Sequence, residues 1–241
     1  MPAHFRKSIN TVLCCLKFVC IVGSDLKIIF AELFEQKGIA ARGLAHPVVF
    51  AGTQLNELGG RTPGISRNRR GAASELFEFG AIPVTPKNYY RLMQSGQAAL
   101  LFPGGVKEIV SGRKDYPLFW PTKTDFVRTA ARFNATIIPL SAVGMLDSVN
   151  VLVDSEDVYK IPFVGERIRE LSQNVTAARY DREKEEGFTP PIALPILPAR
   201  NYFLFGKPIS TKDVDPDDKE ACAKVYRQTQ DGVRRGLDDI L

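Results

Sequence analysis

The feature that most constrains this chain is an alternation running from Ser74 to Leu140. A helical segment over Ser74 to Phe79 leads to the apolar run Ala81-Ile82-Pro83-Val84, and one around Tyr89 to Ser95 leads to Ala99–Phe102. A third, over Thr124 to Phe133, leads to Thr136-Ile137-Ile138-Pro139-Leu140. Short apolar runs that alternate with helical patterns are strands joined by crossover helices, which makes the strands parallel. The expected fold class is α/β: a single domain with a mostly parallel central sheet flanked by helices. With 241 residues, 44% of them apolar, the chain can bury one sizeable core.

The flanks are less regular. Ile28 to Gln36 reads as a helix stopped by Gly38, and Arg42 to Phe50 as an extended piece interrupted by Pro47. Residues 1–24 are set apart as an atypical N-terminal segment and 25–241 as the main domain. The N-terminal apolar region is expected to be a buried first helix, with a membrane-apposed helix or a misplaced start as alternatives. Lys17, Asp25 and Lys27 interrupt Thr11 to Phe30, so it falls short of the roughly 20 apolar residues that span a bilayer. Towards the other end, a charged stretch (Asp181 to Gly187) runs into a proline-punctuated connector, Pro190 to Pro195. Tyr202 to Phe205 reads as a late strand. Asp215 to Leu241 reads as a terminal helix with Ala221, Val225, Val233 and Leu237 in its apolar stripe.

Several function classes are disfavoured at once. A net charge of +5 and a pI near 9.0 suit anionic lipid, acyl-CoA or nucleic acid equally. Arg61, Arg67, Arg69 and Arg70 crowd one glycine-rich loop without interleaved aromatics, which argues against nucleic acid. Cys14, Cys15, Cys20 and Cys222 form no C-x-x-C pair and there are two histidines, so no metal site is expected and the thiols read as reduced packing residues. A Gly-x-Ser-x-Gly elbow is missing, since Gly64-Ile65-Ser66-Arg67-Asn68 fails at its last position.

What remains is the turn after the second of those strands. Phe102-Pro103-Gly104-Gly105 breaks the run Ala98-Ala99-Leu100-Leu101 and is followed by Val106-Lys107-Glu108. Two glycines let backbone approach a ligand closely, and amides in such a turn can cradle phosphate or an oxyanion. In parallel sheets, ligands sit beyond the carboxyl ends of the strands, where this turn falls.

Taken in order, these pieces resemble the glycerolipid acyltransferase superfamily, most of all the acyltransferase region of plant phytyl ester synthase/diacylglycerol acyltransferase proteins. The matching segments are Arg42 to Pro47, Gly80 to Val84, Ala99 to Glu108, Phe119-Trp120-Pro121 through Arg128, and Ala135 to Leu140. Pro162 to Arg169 and Phe203 to Ile209 complete the series, which runs from about Asp25 to the C-terminus. The resemblance implies transfer of a fatty acyl group from acyl-CoA or acyl carrier protein to a lipid hydroxyl, such as diacylglycerol or phytol. The products are a triacylglycerol or a phytyl ester. It implies no cofactor beyond the acyl donor as co-substrate. A lipid acceptor, an acyl donor and a membrane surface are the partners, in the plastid or the endoplasmic reticulum. Phe102, Pro103, Gly104, Gly105, Lys107 and Glu108 correspond to the block for acceptor or phosphate binding.

One departure stands out. Such enzymes carry a His-x4-Asp block upstream of the Arg42 segment, because the attacking hydroxyl must lose its proton to a base that a carboxylate orients. Here the histidines are His4 and His46, and five residues beyond them stand Ile9 and Ala51. Asp25, within Val19 to Leu26, is the candidate surviving carboxylate. His46 is either structural or a substitute base. The alternative is a non-catalytic lipid- or acyl-binding module, or a partner subunit, on the same fold.

Overall fold

The computed structural model describes residues 11–15, 24–45, 80–105, 108, 116–144, 147, 149–153, 192–196 and 200–241. In chain order the elements are β1 (Thr11–Cys15), α1 (Ser24–Lys37), β2 (Ala41–Ala45), β3 (Ile82–Pro83), α2 (Pro86–Gln94), β4 (Ala98–Leu101) and α3 (Asp125–Arg132). They continue with β5 (Thr136–Val143), β6 (Val149–Val153), β7 (Ile192–Pro195), β8 (Tyr202–Phe205), β9 (Ile209–Ser210) and α4 (Lys219–Ile240). The main sheet has the order β3-β2-β4-β1-β5-β8, with β9 also on β5. Every pair from β3 to β5 is parallel, and β8 and β9 run antiparallel to β5. The α/β expectation holds.

Two expectations need correction. The N-terminal apolar run was expected to form a first helix, yet Thr11–Cys15 is a strand lying between β4 and β5. Val12 and Leu13 are 0% and 2% exposed, so the strand is covered on both faces. An apolar run that short carries no periodicity to separate a doubly buried strand from a helix. The proline-punctuated connector also contains a strand, since β7 pairs antiparallel with β6 in a separate two-stranded ribbon. Prolines are tolerated there because a two-stranded ribbon leaves one side of each strand without a ladder to break. The helix expected over Ser74 to Phe79, the arginine loop and the Pro162 to Arg169 segment lie outside the described residues.

Alternation along the strands divides the core into two layers. Val12, Ala99 and Ile137 face the layer formed by α2, α3 and α4, with Tyr89, Met93, Val127 and Val225 among its buried members. Leu13, Leu100 and Leu140 face the opposite side, where α1 packs through Ile29, Phe30 and Leu33. Fully burying one such aliphatic side chain contributes about 1.5–3 kcal/mol, so both faces of the three central strands are heavily held.

Local chemistry sets the helix ends. Thr85 Oγ1 accepts the Asn88 amide at 3.1 Å to open α2. Asp218 Oδ1 accepts the Glu220 and Ala221 amides at 2.9 and 3.0 Å to open α4. Gly38, with φ of 64°, ends α1 as expected. Helix α4 seats directly on β5: a Cβ on Gly232 would stand 2.7 Å from Pro139, and one on Gly236 2.4 Å from Ser141 Oγ. Ser141 Oγ donates to the Val233 carbonyl at 2.7 Å across the same contact.

Candidate functional site

The connectivity of the sheet picks out one place for a ligand. Among the described elements, α1, next after β1, lies on one face and α3, between β4 and β5, lies on the other, although β1 and β4 are neighbours. Adjacent parallel strands whose chains leave in opposite directions open a crevice at their carboxyl ends. Register defines its floor. Cys14 pairs with Leu101 of β4 and Pro139 of β5, so β1 ends one residue later at the level of Leu140. On one side β5 continues three residues further, to Val143. On the other side β4 gives way to the Phe102–Gly105 turn. The end of β1 therefore lies between two taller walls.

The turn is tightly built. The Gly105 amide donates to the Phe102 carbonyl at 3.0 Å, and Gly105 has φ of 61°. Pro103 and Gly104 are buried and Phe102 is half-buried. A Cβ on Gly104 would fall 1.9 Å from Glu108 Cδ and 2.2 Å from its Oε1, so this position is open only to glycine while that carboxyl stays in place. Glu108 is 1% exposed, and its Oε1 accepts the Phe119 amide at 2.9 Å. The carboxyl thus connects the turn to the segment Tyr116–Pro121.

That segment is held at further points. Tyr116 Oη accepts the Gly144 amide at 3.2 Å, which ties it to the end of β5. Tyr226 of α4 donates its hydroxyl proton to the Pro121 carbonyl. Trp120 packs edge-on against Phe126 and Tyr226, with ring centroids 6.2 and 5.5 Å apart. A wall therefore runs from the turn, through Glu108 and Phe119, to β5 and α4.

Of the remaining sequence candidates, Asp25 belongs to the described residues. Asp25 is the second residue of α1, the helix that leaves β1, so its backbone belongs to the same end of the sheet. Ala45, the residue before His46, ends β2 beside β4; Gly43 pairs with Leu100, which puts Ala45 level with Phe102. His46 and Lys107 themselves lie outside the described residues. Two contributors were not anticipated, the Phe119 amide and the Tyr116 hydroxyl. Phe119 belongs to a segment that the resemblance matched, but a backbone donor leaves no mark in side-chain identity.

Burial pushes the Cys222 thiol up from its ordinary value, with Asp218, Asp215 and Asp217 adding to the rise and Arg128 opposing it. Its Sγ lies 3.6 and 3.8 Å from the Asp215 and Pro216 carbonyls, as expected of a packing thiol. Among the described residues no helix is long and apolar enough to cross a membrane.

Comparison with known proteins bears out the resemblance. The chain is 35% identical over 234 residues to phytyl ester synthase 1, chloroplastic, of Arabidopsis thaliana, covering 92% of this chain and 31% of that protein. It is 31% identical over 228 residues to phytyl ester synthase 2, chloroplastic, from the same plant, covering 90% of this chain and 30% of that one. It therefore spans about a third of the length of the curated relatives it matches. No family model matches the chain, and no solved structure does.

Proposed function

We propose that this relative of the plant phytyl ester synthases is an O-acyltransferase that esterifies a lipid alcohol, phytol or diacylglycerol, with a fatty acyl group. The observation that carries this reading is the kinship over nine-tenths of the chain with proteins named for making phytyl esters. The crevice at the β1–β4 switch point, with its glycine turn, supports this reading, because ligands of parallel sheets bind at such points. The acyl donor is acyl-CoA or acyl carrier protein, and the chloroplastic relatives favour the plastid.

In the reaction the acceptor oxygen attacks the thioester carbonyl, the carbon–sulfur bond breaks, and the thiol leaves with the proton that the alcohol gave up. His46 is the base in this reading, since it is one of the chain's two histidines and directly follows Ala45, the last residue of β2. Asp25, at the start of α1, is the carboxylate that orients it. Lys107 neutralises the donor phosphate or the developing oxyanion beside Gly104. Glu108 orders the turn rather than touching substrate, since its carboxyl is buried against Gly104 and the Phe119 amide.

The purified chain is tested with labelled acyl-CoA or acyl carrier protein and either alcohol, beside His46→Ala and Lys107→Ala. Ester formation lost in both variants supports the roles given. Ester formation unchanged in His46→Ala would remove that histidine from the mechanism.

The unmet His-x4-Asp spacing favours a second reading, a lipid- or acyl-binding module without turnover. Saturable binding of acyl donor with no ester formed, in either acceptor, selects it.

A further inference from the structure

Tyr116 adopts a backbone conformation that its residue type and its position both oppose. Its φ is 48°, and it and Asn134 (φ 52°) are the non-glycine residues with positive φ among the described residues. Asn134 is accounted for locally: it follows Phe133, the C-cap of α3, where a left-handed residue closes a helix and asparagine is tolerated. Tyr116 has a bulky ring and precedes Pro117, a combination that sterics direct to extended backbone. Strain of this kind persists only where the surroundings hold it, and it gathers at functional sites.

Ring and hydroxyl both do the holding. The ring is 9% exposed, in a cluster with Val143 at the end of β5 and Val233 and Leu237 of α4. The hydroxyl accepts the Gly144 amide at 3.2 Å. Gly144 is itself confined, because a Cβ there would stand 2.0 Å from the Arg200 carbonyl. Tyr116 is thereby fixed to the wall of the crevice that β5 forms.

What the strain achieves lies three residues on. The Phe119 amide donates to Glu108 Oε1 at 2.9 Å, and that carboxyl fills the space Gly104 leaves beside the turn after β4. One anchor of the segment therefore stands on β5 and the other on the turn, with the end of β1 between them in the sheet. Two strand spacings separate β4 from β5, so the anchors bracket a gap of about 10 Å. Residues 117–121 are half-buried, as in a segment laid along the surface rather than threaded through the core. With so short a link, the direction in which Tyr116 sends the chain decides where the Phe119 amide arrives.

We infer that Tyr116 is a positioning residue of the crevice. Held in left-handed backbone by the end of β5, it aims the Phe119 amide at Glu108 and so sets the spacing between the two walls. The inference rests on the proposed reading of the crevice as the place where alcohol and thioester meet. Reacting atoms tolerate only a small error in their approach, so a wall that shifts costs rate more than binding.

Trp120, the chain's sole tryptophan, lies in this segment with its ring against Phe126 and Tyr226, so its fluorescence reports the segment's position with or without turnover. Tyr116→Phe keeps the ring and loses the hydroxyl, whereas Tyr116→Gly adopts the left-handed backbone freely and loses ring and hydroxyl together. In both variants, folded by circular dichroism, the indole emission should move to the red and acrylamide should quench it more strongly. With octanoyl-CoA and phytol, kcat should fall about tenfold in Tyr116→Phe and further in Tyr116→Gly, while KM stays near the parental value. Ser141→Ala, a change in the neighbouring contact between β5 and α4, should move neither emission nor kcat. Parental emission and kcat in Tyr116→Gly would mean that a left-handed turn is all the position requires, and would overturn the inference. Unchanged emission in Tyr116→Phe, or a loss carried by KM with kcat intact, would overturn it as well. A parent that forms no ester, with emission still shifting in both variants, would instead sink the proposed reaction and leave the hold of Tyr116 on the wall standing.

Discussion

Gly236 on α4 and Gly104 in the turn after β4 both let a neighbour close in on the backbone, and they use that freedom differently. At Gly236 the neighbour is Ser141 of β5, in the middle of a helix–sheet contact with Gly232 and Pro139 one turn away. The gain there is burial, and it belongs to the fold. At Gly104 the neighbour is one buried carboxyl, which reaches across the turn to hold the Phe119 amide. The gain there is position, and it belongs to the site. A change at the first should be felt by the whole molecule, and a change at the second by one edge of it.

The largest expected effect sets the first half of that contrast. Gly236→Leu should destabilise the protein by about 3 kcal/mol, because a branched side chain has to be forced between α4 and β5. A urea titration followed by circular dichroism reads it as a shift in midpoint. A near-parental midpoint would mean that α4 is not seated on β5 as described.

Next in size is the turn. Gly104→Ala should cost about 1–3 kcal/mol and displace Glu108, since the new methyl occupies the place of its carboxyl. Glu108→Ala alone should cost about 1–3 kcal/mol by stranding the Phe119 amide. The double variant is the informative one. Its added methyl fills space that the lost carboxyl vacated, so its cost should fall short of the sum by about 1 kcal/mol. Strict additivity would separate the two residues and break the account of the turn.

Smaller effects sharpen the picture. Glu108→Gln keeps an acceptor for the Phe119 amide and should lie within about 1 kcal/mol of the parent, well above Glu108→Ala in thermal melts. Ser141→Ala should cost about 1 kcal/mol for the lost bond to the Val233 carbonyl, with no loss of activity. Smallest is a pH effect. The folded state holds the Cys222 thiol protonated, so its stabilising contribution is complete below the unfolded value and fades as pH rises through the raised one. Stability measured across pH above the ordinary thiol value of 9.0 should therefore fall less steeply in Cys222→Ala than in the parent.

The same contrast explains what could be read from sequence. Thr136–Leu140 and the terminal helix were legible because their apolar residues report faces buried by many neighbours. Tyr202–Phe205 was legible as an unbroken apolar run, although both its ends are exposed. Thr11–Cys15 was not, because a strand buried on both faces has no polar residues to set a period. Ile192–Pro195 was hidden by its prolines, which usually mark a connector. The turn was visible as Pro-Gly-Gly, while the close approach that the structure shows at Gly104 is to the Glu108 carboxyl rather than to a ligand. The Phe119 amide was not visible, since Glu108 reaches it as a backbone donor 11 residues away. Packing leaves a pattern in sequence, whereas one hydrogen bond that fixes a loop does not.

The most direct test of the central claim is ester formation by Gly104→Ala, assayed with acyl donor and phytol beside the unsubstituted chain and Ser141→Ala. The account predicts that the parent and Ser141→Ala form ester while Gly104→Ala, still folded by circular dichroism, does not. Ester formation at the parental rate by folded Gly104→Ala would contradict it, because the turn at the end of β4 would then have no part in the reaction.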